Sequence, residues 1–167
     1  MFFLKSLFGC SLFDMSSYSL EKLIGLMRQS MRGNFFSRGF NKIQLTSAGD
    51  GKCTAELTVC SDVCNNAQSL HGGMAATLVD MISTYALLTL RDVQNVSVDM
   101  SISYLAQAQL GDDITIEATA TKLGRSVAFL DVVIQNKDNG EILVKGMHTK
   151  SLNNQLDYLG NKVQSVH

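Results

Sequence analysis

With 167 residues, 46% of them hydrophobic and 17% charged, the chain has the size and apolar content of one folded domain, which excludes an intrinsically disordered protein. A formal net charge of −1 excludes general attraction to nucleic acid or to an anionic membrane, while a local cationic patch for a phosphorylated ligand is still allowed. The four cysteines, Cys10, Cys53, Cys60 and Cys64, include one close pair and no zinc-like Cys/His spacing, which argues for reduced thiols and against a metal site.

The chain opens on MFFLKSLFGCSLFDMSS, an apolar stretch with one lysine. It is too short to span a bilayer and lacks the Arg-rich character of an import peptide. Residues 1–17 therefore read as an extension, with an organelle-targeting role left open. Ser19 is an N-cap for a helix whose apolar positions Leu20, Leu23, Ile24, Met27 and Met31 share one face, with Gly33 as its stop. A strand is expected around 40–48, then a hairpin turn at Gly49-Asp50-Gly51 and a strand alternating Cys53, Ala55, Leu57 and Val59.

After a polar loop, Ser61 to Ser69, the segment from about Gly73 to Leu90 is apolar on nearly all sides, as a buried helix is. Its length, about 27 Å at 1.5 Å per residue, threads a domain core but falls short of a comfortable membrane span. Asp80, Ser83 and Thr84 within it also argue against lipid. Next, Val96, Val98, Met100, Ile102 and Tyr104 alternate with polar residues, a strand with period two. Further strands are expected at about 112–122, 126–136 and 141–150, with a turn at Asp138-Asn139-Gly140 and a polar, loose tail beyond Leu152. Helix, two strands, buried helix and four strands predict an α+β fold: a curved antiparallel sheet of about six strands wrapped around one central helix.

Chemistry concentrates in Leu70-His71-Gly72-Gly73-Met74-Ala75-Ala76-Thr77-Leu78-Val79-Asp80. Paired glycines at a helix start bring free N–H donors and the positive dipole end close to a carbonyl oxygen or an anion. An Asp inside an oily helix is costly unless paired or working. The residues alone leave two readings, a working carboxylate or a buried Asp capping loop backbone. No Gly-x-Ser-x-Gly elbow is present, which argues against a serine-hydrolase triad.

The stretches Asn65 to Leu88, VSVDMSISYL at 96–105, LGDDI at 110–114, KLGRSVAF at 122–129 and GMHTKSL at 146–152 resemble the hotdog-fold acyl-CoA thioesterases. Within that family the resemblance is to the small animal acyl-CoA thioesterase 13 group (thioesterase superfamily member 2). It covers about Cys53 to Leu152; the extension before Tyr18 lies outside the family pattern. Two departures, Met81 for the usual Asn and Ala106 for the usual Pro, touch no reacting group.

The resemblance implies hydrolysis of fatty acyl-CoA to free acid and CoA, with no cofactor beyond the CoA of the substrate; the medium- to long-chain preference is read from an adaptable Met-rich lining. It implies Asp80 as general base or nucleophile, Ser97 orienting the attacking water, Gly72 N–H as oxyanion donor, and Asn65 steadying the loop of His71. His71 itself either holds that loop or acts as a base. The CoA-binding positions are Gly73 and Ser97, the segment Tyr104, Leu105, Ala106, Gln107, Ala108 and Gln109, the turn Lys122, Leu123, Gly124, Arg125, Ser126 and Val127, and Ser151. His148 reads as structural or near the cofactor portion. Met74, Met81 and Leu87 offer an apolar lining for the acyl chain. The family also implies a homodimer or a homotetramer of two dimers, a lipid-transfer protein as partner, and an intracellular location, cytoplasmic or mitochondrial.

The chemistry is coherent on its own terms. CoA thiolate leaves readily, so one carboxylate and an oxyanion hole suffice for hydrolysis. Apolar surroundings would raise the pKa of Asp80 toward neutrality. Gly72 and Asp80 lie about 12 Å apart along a helix axis, and His71 and Asp80 point to roughly opposite sides. One protomer therefore does not easily bring both to one thioester carbon, which predicts composite sites with Gly72 and Asn65 from one chain and Asp80 and Ser97 from the other. Two rivals stand beside this reading: a hotdog hydratase, disfavoured because no His neighbours Asp80 in the helix, and a non-catalytic acyl-CoA-binding or scaffold protein.

Overall fold

A computed structural model describes residues 17–32 and 40–163. The expected N-terminal extension, apart from Ser17, and the Gly33 helix stop lie outside the described residues. The elements in chain order are α1 (Leu20–Arg32), β1 (Gln44–Gly49), β2 (Lys52–Thr58), a 3-10 turn at Ser61–Val63, α2 (Gly72–Leu88), β3 (Gln94–Tyr104), β4 (Asp113–Leu123), β5 (Val127–Asn136) and β6 (Ile142–Asn153). Ser19 accepts a hydrogen bond from Lys22 N at 3.3 Å, as an N-cap does, and α1 buries Leu23, Leu26 and Met27. Asp50 and Gly51 both have positive φ, the backbone that a tight two-residue hairpin turn requires.

The strands form one antiparallel sheet in the order β1-β2-β4-β5-β6-β3. α2 touches all six strands and is buried almost continuously from Leu78 to Leu88. A flat sheet covers one side of a helix; burial on every side needs a sheet that wraps it. This is the hotdog arrangement.

Four expectations are corrected. β1 begins at Gln44, because Ile43 N bonds Phe40 O at 3.1 Å and makes a turn of the preceding residues, although Phe40 and Ile43 remain core. Leu87 is fully buried, so it packs the core rather than lining a cavity. The segment after Leu152 is held: Leu156 bridges Lys162, Gln94 N bonds Leu156 O, and the Tyr158 ring meets Tyr18 edge-on at 6.5 Å. The fourth concerns β3. Val96, Val98, Met100, Ile102 and Tyr104 do not share one face, because the register slips between Ser97 and Asp99. Ser97 pairs with Lys150 and Met100 with His148, both on the face of β6 turned to α2. This β-bulge puts Ser97 in phase with Met100 and Tyr104.

Two further features position the site. β3 occupies a sheet edge beyond β6, with its other side unpaired among the described residues and Val96 and Val98 exposed by 62% and 63%. At Gly146 the backbone of β6 lies so close to α2 that a Cβ there would sit 2.6 Å from Val79 Cγ1. That approach brings the next helix residue, Asp80, within reach of β6.

Candidate active site

Asp80 is a half-exposed carboxylate at the edge of the buried part of α2, with its side chain 48% accessible. Its backbone carbonyl accepts hydrogen bonds from Thr84 Oγ1 at 2.8 Å and Ser83 Oγ at 3.0 Å. Its Oδ1 lies 3.4 Å from Lys150 Nζ, 3.5 Å from Ser97 Oγ and 3.8 Å from His148 Nδ1. The imidazole bridges two hydroxyls, with Nδ1 2.8 Å from Ser83 Oγ and Nε2 2.9 Å from Ser97 Oγ. With Ser83 donating to Asp80 O, hydrogen sits on Nδ1 and the Ser97 hydroxyl donates to Nε2. With hydrogen on Nε2, Ser83 donates to Nδ1 instead of to Asp80 O, and the Ser97 hydroxyl is free to donate to the carboxylate. The surroundings of Asp80 are thus polar and cationic, not the apolar pocket expected.

His148 is 1% exposed, and burial, aided by the Lys150 charge and opposed by Asp80 and Asp99, pulls its pKa down to about 4. Burial also lowers the pKa of Lys150 against the pull of Asp80. A depressed histidine pKa means that the unfolded chain protonates first. Stability is therefore unaffected by His148 above its ordinary pKa of about 6.5 and is lost as pH falls toward about 4, by ~3 kcal/mol at the limit. Urea unfolding at pH 7 and pH 4.5 checks this: His148→Gln is expected to lose less stability than wild type across that interval. Equal losses would show that the ring is not held neutral.

The helix N-terminus makes the second cluster. His71 is the N-cap, its Nδ1 accepting from Gly73 N at 2.9 Å, so its side chain caps the first turn of α2. Asn65 Oδ1 accepts from Ala67 N at 2.9 Å and Ser69 N at 3.2 Å, while Nδ2 donates to Ser69 Oγ at 3.0 Å. Asn65 therefore shapes the loop that carries Leu70 into His71. Gly72 opens α2, where a backbone N–H has no acceptor within the helix. Tyr104 Oη donates to Gly72 O at 3.1 Å. A groove of about 480 Å³ opens beside this end, lined by Phe40, Val63, Cys64, His71, Met74 and Thr77.

The expected CoA-binding positions fall into the same two groups. Tyr104 to Gln109 lies with the helix N-terminus, since Leu70 N bonds Ala108 O at 2.8 Å and Ser69 bridges Gln109. The turn Lys122 to Val127 lies with Asp80, since Val127 pairs with Ser151 beside Lys150. Gly124 is needed there, because a Cβ would meet Val127 O at 2.9 Å. Arg91 Nη1 donates to Gly124 O and Asn154 Nδ2 to Arg125 O, fixing the loop that displays Lys122 and Arg125. On β6, Tyr104 is opposite Val144 and Val127 is opposite Ser151, about 23 Å apart at 3.3 Å per residue. The expected site residues thus fall into two separate groups on one chain, and the structure does not bring Gly72 to Asp80.

Lys150, Arg91 and Asn154 were not anticipated, and the place of His148 beside Asp80 was missed because it comes from a strand rather than from the helix. A signal existed. His148 and Lys150 share the period-two phase of Val144 and Leu152, and a His and a Lys on a core face require polar partners.

Comparison with known proteins agrees with this architecture. Residues 67–143 match the thioesterase superfamily model. Acyl-coenzyme A thioesterase 13 of Homo sapiens is 44% identical over 137 residues, covering 81% of this chain and 96% of that protein. The crystal structure of zebra fish thioesterase superfamily member 2 superposes with a TM-score of 0.79 at 40% identity, over 82% of this chain and 100% of that one. A hypothetical thioesterase protein with coenzyme A from Streptococcus pneumoniae gives 0.65 at 28% identity, over 68% of this chain and 90% of that one. A six-stranded antiparallel sheet around one long helix, with likeness of this extent to such relatives, establishes that the chain belongs to the thioesterase superfamily.

Proposed function

We propose that the protein is an acyl-CoA thioesterase that hydrolyses medium- to long-chain fatty acyl-CoA to fatty acid and CoA. The observation that carries the reading is a half-exposed carboxylate on a largely buried helix, gripped by Ser97 and Lys150 beside an unpaired sheet edge. In this reading Asp80 takes a proton from a water that Ser97 orients. The water oxygen attacks the thioester carbon, the oxyanion forms against Gly72 N–H, and the C–S bond breaks to release CoA thiolate.

The site is composite. The free edge of β3 pairs with β3 of a second copy, and an antiparallel pairing brings Ser97 of one copy toward the Tyr104 end of the other. Asp80 and the Lys122–Val127 turn of one chain then face Gly72 and Tyr104–Gln109 of its partner. The groove beside Met74 is suited to the acyl chain.

The hydratase reading gains one observation, since His148 does stand 3.8 Å from Asp80. That ring is buried and occupied by two serines, however, and does not face the solvent side of the carboxylate. The test is thiol release from acyl-CoAs of increasing chain length. Release that rises from medium to long chains is expected. Tight binding without release would identify a carrier, and hydration of an enoyl-CoA without thiol release would identify a hydratase.

A further inference from the structure

Lys150 is the most unusual side chain in the molecule. It projects from the face of β6 that packs on α2, it is 3% exposed, and the neighbouring positions in its phase include Val144 and Leu152. A buried ammonium carries a desolvation cost of several kcal/mol that an apolar side chain of the same length avoids. If the position served packing alone, Met would fill it more cheaply. Its hydrogen-bond partners are Asp80 Oδ1 at 3.4 Å and Ser97 Oγ at 3.4 Å.

The carboxylate is held asymmetrically. Among the described residues, the side-chain contacts of Asp80 with Lys150, Ser97 and His148 all go to Oδ1. The side chain as a whole is still 48% accessible, and none of these contacts uses Oδ2. An Asp carboxylate turns easily about its last torsion, where the preference is broad and two-fold. One fixed oxygen removes that freedom.

We infer that Lys150 is a positioning residue, whose ammonium anchors Asp80 Oδ1 and Ser97 so that Oδ2 is the oxygen presented to the attacking water. The inference rests on the thioesterase reading and adds to it which oxygen reacts and what orients it. At 3% exposure, Lys150 is closed off from solvent and acts through Asp80 and Ser97. Its contact to Ser97 also sets the direction of that hydroxyl, because a serine oxygen that accepts from Lys150 keeps its own hydrogen for Asp80 or His148.

The experiment compares wild type, Lys150→Met, Lys150→Arg, Asp80→Asn and the Lys150→Met/Asp80→Asn double variant in steady-state thiol release. Melting temperature and oligomeric state are followed alongside. Lys150→Met is expected to lower kcat on the order of 10²-fold, the scale of a misplaced reacting group, with KM unchanged and melting at or above that of wild type. Lys150→Arg is expected to recover part of that loss, because it restores the charge. In the Asp80→Asn background Lys150→Met is expected to cost nothing further, because residues acting as one unit are not additive.

Wild-type kcat in Lys150→Met overturns the inference, as does a rise in KM alone or an equal loss in both backgrounds. Should Lys150→Met fail to fold, Lys150→Gln reads the same difference. Absence of thiol release by wild type overturns the thioesterase reading itself, and is distinguished by that control.

Discussion

Asp80→Asn is expected to lower kcat for acyl-CoA hydrolysis on the order of 10³- to 10⁴-fold, the scale of a lost general base. The substitution keeps the shape of the side chain. Its amide oxygen still accepts from Lys150 and Ser97, so the cluster at 3.4 and 3.5 Å has no steric reason to move. What disappears is the ability to take a proton. A second effect follows from Lys150, which is 3% exposed and loses its counter-charge. Breaking a buried ion pair from one side costs ~3 kcal/mol, reduced here because Asp80 is half exposed. The variant should therefore melt somewhat below wild type yet keep its assembly. Thiol release, a melting curve and size-exclusion chromatography separate the two effects. Near-wild-type turnover in a folded Asp80→Asn protein would remove Asp80 from the mechanism.

Gly72→Pro is the second large effect. It tests the oxyanion donor by replacing the N–H hydrogen with a ring carbon. Position 72 is the first of α2, where proline is welcome because its missing N–H serves no helical bond and its φ is already right. The preceding His71 has φ −64° and ψ 132°, the extended region that a residue before proline prefers. A Cβ at 72 would come no closer than 3.6 Å to the Tyr104 ring, an ordinary contact. The helix should therefore form and the protein should assemble. Loss of an oxyanion donor lowers kcat about 10²- to 10³-fold. Gly72→Ala retains the N–H and should be close to wild type, so equal loss in both variants would point to crowding rather than to the hydrogen bond.

The two variants together test the composite site. Gly72→Pro and Asp80→Asn chains, each nearly inactive, should regain activity when unfolded and refolded as a mixture. In a mixed dimer one site receives both defects and the other neither, so an equimolar mixture should approach about a quarter of wild-type activity. If each chain carried a complete site, mixing would add nothing.

Most of the fold was legible because its signals are local. The all-round apolar run of α2, the two positive-φ hairpin turns and the alternation in β2, β4 and β5 each arise from neighbours in sequence. The place of β3 at the far edge was not legible, because strand order depends on which faces meet after the chain has crossed the sheet. The bulge at Val98 escaped for a related reason. Alternation over nine residues looks unbroken on the page, and only pairing with β6 shows where one residue is extra. The site followed the same divide. Asp80 and Gly72 announce themselves as anomalies within one helix. Lys150 and His148 become site residues only because Gly146 lets α2 settle onto β6.

The bulge also means that activity and folding can be separated by a single codon. β3 carries Ser97 before its extra residue and Met100, Ile102 and Tyr104 after it. Deleting Val98 would remove only the extra residue and leave Ser97 opposite Lys150 and Asp99 opposite Thr149, still in phase with the helix face. Deleting Ser97 instead would keep the same pairing on both sides but put Val98 opposite Lys150, leaving Asp80, Lys150 and His148 without their shared hydroxyl. That reading-frame-preserving deletion of three nucleotides would give a chain that folds, pairs its edge and binds, but has lost the group that aims the water.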